Sequence, residues 1–245
     1  MHRRMLLGAL ATPALARPAL AQDPWPNRPV TLVVPWAPGG SNDVVARLVA
    51  PALSERLGQS VVVENRPGGG GSIGMGQVAR ARPDGHALLI SSASNHVFHP
   101  LVSPDLGYDV REALHGIAMM VDVPNVLAVN PGLGVATVPE LLARIRATPG
   151  GLAFGSSGTA SSNHLAGELF RMMTGVEMTH VPYRGGGPVA TDLVAGTIPT
   201  AFMNLPTVVG PMATGRIRVI GVCTEERVRV RPDIPTVAEQ GVPGY

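Results

Sequence analysis

Short β-branched runs, each closing on a polar loop of glycine, serine or asparagine and followed by a helical segment, recur along the whole chain. Val30–Val34, Ser60–Asn65 and His86–Ser92 read as strands, with helices expected over Asn42–Leu57 and Ile73–Ala81. Pro51 falls inside the first helix and is expected to kink or split it, with Val44, Val45, Leu48, Val49 and Leu53 on its apolar face. Farther on, "GIAMMVD" (116–122), "NVLAVN" (125–130), Leu152–Ser157, Met178–Tyr183, Thr200–Asn204 and Ile217–Cys223 read as strands. Thr137-Val-Pro-Glu140 opens a helix with a capping box; further helices cross His164–Met173 and run through Leu193. Strands alternating with helices define an α/β fold with parallel sheets. The number of strands suits two α/β lobes joined by crossovers better than one sheet.

The first 21 residues stand apart. Arg3 and Arg4, an apolar stretch from Met5 and the small-residue ending Ala19-Leu20-Ala21 have the order of a secretory leader cleaved after Ala21. The arginine pair leaves Sec and twin-arginine export both open. All 19 basic residues are arginines. Without Arg3, Arg4 and Arg17 of the leader, 16 arginines face 17 carboxylates, so the remaining chain is close to neutral. That balance, with 4% aromatic residues, argues against a nucleic-acid partner. The absence of lysine excludes a P-loop or Schiff-base lysine. Cys223 is the single cysteine, so no intrachain disulfide is possible, and its apolar neighbours suit a buried thiol.

Four loops sit at the C-terminal ends of expected strands: "PWAPGGSND" (35–43), "SSASNH" (91–96), "GSSGTASSNH" (155–164) and "YRGGGP" (183–188). Open α/β sheets bind ligands at those ends, and a helix N-terminus there favours an anion. The same residues also suit plain turns, with Ser41 or Asn42 as a helix cap and the serines at 156, 157, 161 and 162 as turn formers. His164 and His180 suit satisfied structural roles, and "RVRVR" (227–231) a solvated surface. Ser157 with His164 could imitate part of a hydrolase triad, although "GSSGT" is not G-x-S-x-G. Neither glycine loop carries a nucleotide fingerprint, and no side-chain set has metal-ligand spacing, so neither cofactor nor metal is expected.

Several ordered blocks resemble one family. The opening "WPNRPVTLVVPWAPGGSNDVVARLVAPALSERLGQSVVVENRPGGGGSIG" is similar to the start of the Bug-type solute receptors of tripartite tricarboxylate transporters. "ARPDGHALLIS", "ELLARIRATPGGLAFGSSGTASSNHLAGELF", "HVPYRGGGPVATDLVAGTI" and "RPDIPTVAEQGVPGY" resemble later blocks of that family, in order.

The resemblance implies a periplasmic two-lobed α/β binding protein of type II-like architecture. It would close on a small organic acid and deliver it to membrane permease subunits without cofactor or catalysis. A sensor that presents the ligand to a signalling partner would bind alike. The carried-over site comprises Gly39, Gly40, Ser41, Asn42 and Asp43 from one lobe. The other lobe would supply Ser156, Ser157, Gly158, Thr159, Ser161, His164 and Asn204. Asp43 would repel an anion, so it is expected to cap the helix or meet an amino or hydroxyl group; Arg184 is expected to support a loop. In this reading residues 22–105 begin lobe 1, 106–220 form lobe 2, and 221–245 start an incomplete return to lobe 1. Family members continue past the position of Tyr245, and without such a tail apolar first-lobe surface is expected to be exposed.

Overall fold

The computed structural model describes residues 24–103 and 105–245, so the leader-like residues 1–21 lie outside what is described. Val30–Val34 (β1) pairs in parallel with Val61–Asn65 (β2) on one side and Ala87–Leu89 (β3) on the other. This three-stranded sheet has the order β2-β1-β3 and is the centre of the first lobe. β1 is almost wholly buried, as expected for an apolar run covered on both faces.

Ser41–Leu57 (α1) follows β1 through the first glycine loop. Gly40 is its N-cap residue, Asp43 lies in its first turn, and Gly58 closes it in the left-handed conformation at φ 65°. Contrary to expectation, Pro51 neither splits nor ends this helix. It sits on the exposed side, where water can serve the carbonyl that its missing N–H leaves free. The buried face also differs. Ser41, Asp43, Ala46 and Ala50 turn inward, while Leu48 is 73% exposed. Ser72–Ala79 (α2) and the one-turn helices His99–Val102 (α3) and Val110–Ala113 (α4) complete the described α-helices before the crossing.

The second lobe is built on a five-stranded sheet of order β6-β5-β7-β4-β8. Its strands are Asn125–Val129 (β4), Leu152–Ser156 (β5), Met178–Pro182 (β6), Thr200–Asn204 (β7) and Arg218–Val222 (β8). Val138–Arg146 (α5), Ser162–Thr174 (α6), Gly186–Ala195 (α7) and Leu205–Ala213 (α8) accompany them. Thr137 accepts the Glu140 N–H at the start of α5, and the Glu140 carboxylate reaches back to the Ala136 N–H. Two apolar layers cover the sheet. Leu127, Phe154, Phe170 and Phe202 anchor one; Val126, Leu193, Met203 and Val208 anchor the other.

Three sequence expectations change here. The second sheet is mixed, because β4 runs antiparallel to both β7 and β8. "GIAMMVD" forms no strand; it crosses toward β4 in irregular chain, with Ile117 83% and Met119 88% exposed. Residues 221–245 stay with the second lobe instead of returning to the first. Val237 and Val242 enter its core, Tyr245 Oη donates to the Ala166 carbonyl at 2.9 Å, and the Val138 N–H donates to Gln240 at 3.0 Å. Their apolar side chains find cover on α5 and α6, which decides the path.

Candidate functional site: a cleft between the lobes

The N-termini of α1 and α6 face one cavity of about 440 Å³ between the lobes. Gly40, Ser41 and Asn42 line it from the first lobe; Ser157, Ser161, Ser162 and Asn163 line it from the second. Asn204, the N-cap of α8, closes one side, and Trp36 another. Free N–H groups and the partial positive charge of a helix start make such a place receptive to an anion.

An asparagine network ties these elements together. Asn125 Oδ1 accepts from Asn163 Nδ2 at 2.8 Å and from Asn204 Nδ2 at 2.9 Å. Ser157 Oγ donates to Asn163 Oδ1 at 2.6 Å, and Ser41 Oγ crosses the cleft to donate to Asn204 Oδ1 at 3.1 Å. A second link crosses nearby: the Ser162 N–H donates to Ser94 Oγ at 3.0 Å. A third joins backbone to backbone, from the Ala37 N–H to the Arg184 carbonyl at 3.0 Å. Beside it the loops 37–40 and 185–187 lie against each other so closely that a Cβ on Gly187 would run into the Pro38 carbonyl oxygen. Asn42 Nδ2 is buried without a hydrogen-bond partner, a donor on the wall of the cavity.

Other residues named from the sequence lie behind this surface. Asp43 is buried and faces its own lobe. Its carboxylate accepts from the Gly39 N–H at 3.0 Å, Asn65 Nδ2 at 3.0 Å and Arg47 Nε at 3.1 Å. Burial works to raise its pKa, but the bonds from Arg47, Gly39 and Asn65 hold it below the ordinary carboxylate value. Gly39, at φ 81°, forms the turn and backs onto Gly187. Ser156 is fully buried, accepts the Gly158 N–H and sits 2.6 Å from His180 Nε2. Gly158 and Thr159 line a second recess with His99, Tyr183 and the exposed Arg184, away from the asparagine network.

His164 does not meet Ser157. Its Nδ1 accepts the Ala160 N–H at 3.2 Å, and its ring stacks on that of His180 with centroids 4.0 Å apart. The pairing that a hydrolase would need is therefore not formed. Burial, and then the neighbouring His164, depress the His180 pKa to about 4. Burial likewise lowers that of His164, against the opposing influence of Glu168. Among the described residues no group of three or more His, Cys, Asp or Glu is placed to hold a metal ion.

Asn163 and Ser94 lie in loops singled out from the sequence but are not among the residues named there as contacts, and Asn125 lies outside those loops. Asn125 is the hub of the network yet begins a strand, whereas parallel α/β sheets place ligands at strand C-terminal ends. Because β4 is antiparallel to β7, Asn125 stands opposite Asn204, so the start of one strand and the end of the other meet at the cleft. The signal available was Pro124-Asn125 directly before an apolar run.

A cleft between two α/β lobes, walled by polar side chains and two helix N-termini, defines a solute-binding receptor. The chain belongs to the tripartite tricarboxylate transporter receptor family: the family model described as "Tripartite tricarboxylate transporter family receptor" matches residues 45–245. Protein BugT of Bordetella pertussis is 39% identical over 237 residues, spanning 96% of this chain and 72% of BugT. Among solved structures, R. palustris Rpa4515 with adipate is 41% identical with a TM-score of 0.87, over 90% of this chain and 74% of that one. MatC (Rpa3494) from Rhodopseudomonas palustris with bound malate is 30% identical with a TM-score of 0.83, over 90% and 75%. Sequence and structure thus agree on a Bug-type receptor with a two-lobed α/β fold.

Proposed function

We propose that this chain is exported, captures a small organic acid between its lobes and presents it to membrane permease subunits without altering it. The observation that carries this reading is the convergence of the α1 and α6 N-termini on a cavity that, among the described residues, no arginine or histidine lines. A carboxylate there would be held by backbone N–H groups and by the unpartnered Asn42 amide. Leaving such a donor buried and unpaired costs about 1–3 kcal/mol, which an accepting ligand oxygen removes. The adipate and malate held by the two relatives are acids of this kind.

Gly40, Ser41, Asn42, Ser157, Ser161 and Asn204 are the proposed contacts; Gly39, Asp43, Ser156 and His164 shape the loops behind them, and Gly158 and Thr159 the turn between. Binding without turnover is supported by Ser157, whose hydroxyl is committed to Asn163 instead of to a base. Export is supported by the leader-like first 21 residues and by the family itself.

The test is calorimetric titration with a panel of di- and tricarboxylates, aromatic acids and amino acids, alongside the intrinsic fluorescence of Trp36. Binding should appear for at least one acid and weaken in Ser157→Ala. Silence across the whole panel in both signals would sink the receptor reading, and ester hydrolysis lost in Ser157→Ala would replace it with catalysis.

A further inference from the structure

Among the residues that line the cleft, one side chain is ionisable, and it is acidic: Asp122. It lies on the irregular crossing segment, next to Met119, Met120 and Val121, which form an apolar part of the same wall. Its carboxylate has no ion-pair partner among the described residues. The contrast with Asp43 is informative. That carboxylate also belongs to a cleft loop, but Arg47, Asn65 and the Gly39 N–H neutralise it and turn it away. Only one of the two negative charges is left open to the ligand.

Resting on the receptor reading above, we propose that Asp122 sets the ligand class. The bound acid carries one carboxylate, held at the helix N-termini, and an ammonium group at its other end that faces Asp122. The ligand is then an amino acid whose amine stands away from its carboxylate, in preference to a dicarboxylate.

Three considerations converge on this. The positive potential of the cleft comes from the α1 and α6 starts, which fixes where the carboxylate goes. Asp122 stands three residues before Asn125, the hub of the polar network, and three residues span at most about 11 Å of extended chain. A small acid anchored at the hub therefore brings its far end within range of that charge. A second carboxylate at that end would meet like charge without any lining cation to offset it, whereas an ammonium meets opposite charge. The methionine and valine side chains alongside accommodate the intervening methylenes.

Adipate and 5-aminopentanoate share the same methylene chain and differ in carrying a carboxylate or an ammonium at one end. Both are titrated calorimetrically into the wild-type chain and into Asp122→Asn and Asp122→Glu variants. The wild type should favour 5-aminopentanoate. Asp122→Asn should weaken 5-aminopentanoate and strengthen adipate, each by about threefold to tenfold for a partly solvated charge. Asp122→Glu should keep the wild-type preference, and the discrimination should shrink as salt is raised. An unchanged melting temperature checks that the exposed substitution leaves the fold intact. Wild-type preference for adipate, with a ratio that Asp122→Asn does not move, overturns the inference and leaves the receptor reading standing. If the wild type binds neither these two probes nor any acid of the wider panel, both fall together.

Discussion

Ser41 and Asn204 belong to different lobes, yet the Ser41 hydroxyl donates to the Asn204 amide oxygen at 3.1 Å, bridging the cleft. Each also ends a glycine- or asparagine-capped connection from a strand to a helix, so the bond joins the starts of α1 and α8. Removing one such bond costs about 1 kcal/mol. Ser41→Ala is therefore expected to lower the melting temperature of the unliganded chain by about 2–4 °C and to weaken ligand binding by about fivefold, measured by calorimetry.

Asn125 is a heavier point of failure. Asn125→Ala leaves the Asn163 and Asn204 amides without their shared acceptor, and both lie in the closed wall of the cleft. A deprived buried donor costs about 1–3 kcal/mol, and Asn163 is the fully buried one of the two. The melting temperature should fall by several degrees and affinity by more than in Ser41→Ala. A variant with wild-type melting and binding would show that the network is decorative.

The pH dependence follows from the stacked imidazoles. His180 is held at about 4 in the folded chain, first by burial and then by His164, below the 6.5 of a free imidazole. The unfolded chain therefore binds the proton more readily, and the stability this group contributes is fully present above about pH 6.5 and lost as pH falls toward 4. His180→Gln should flatten the fall in melting temperature across that window. Asp43, whose pKa is also depressed, contributes stability that is lost lower, as pH passes below the ordinary carboxylate value of 3.8.

Gly187 offers a steric test. A Cβ there would collide with the Pro38 carbonyl, and backbone on both sides leaves nothing flexible to give way. Gly187→Ala should hold the lobes apart, lowering affinity at least tenfold while each lobe keeps its own secondary structure by circular dichroism. Small-angle scattering of the liganded variant should read more open than the wild type.

Much of this was legible in the sequence because strands with β-branched runs and glycine-closed loops announce themselves locally. The loops 35–43 and 155–164 carry that signal, and residues of both line one cavity. What the sequence concealed depends on pairing between distant segments. Nothing near Asn125 shows that β4 runs against its neighbours, and that reversal alone carries its side chain to the cleft. "GIAMMVD" has the composition of a strand but no neighbour to pair with, so it remains an irregular wall. Asp43 was expected to cap the helix or meet an amino or hydroxyl group; it does accept the Gly39 N–H, but its partner Arg47, one turn along α1, is invisible to a loop-by-loop reading.

The seam between loops 37–40 and 185–187 has a consequence for how such a receptor diversifies. It is a joint made largely of main chain, in which glycines and a backbone hydrogen bond fix the angle of approach. The side chains proposed to meet the ligand, Ser41, Asn42, Ser157 and Asp122 among them, lie on the cavity wall beside that joint. Side chains on the cavity wall away from the joint, such as Ser157, can therefore change by point substitution without disturbing the main-chain geometry that sets the angle between the lobes.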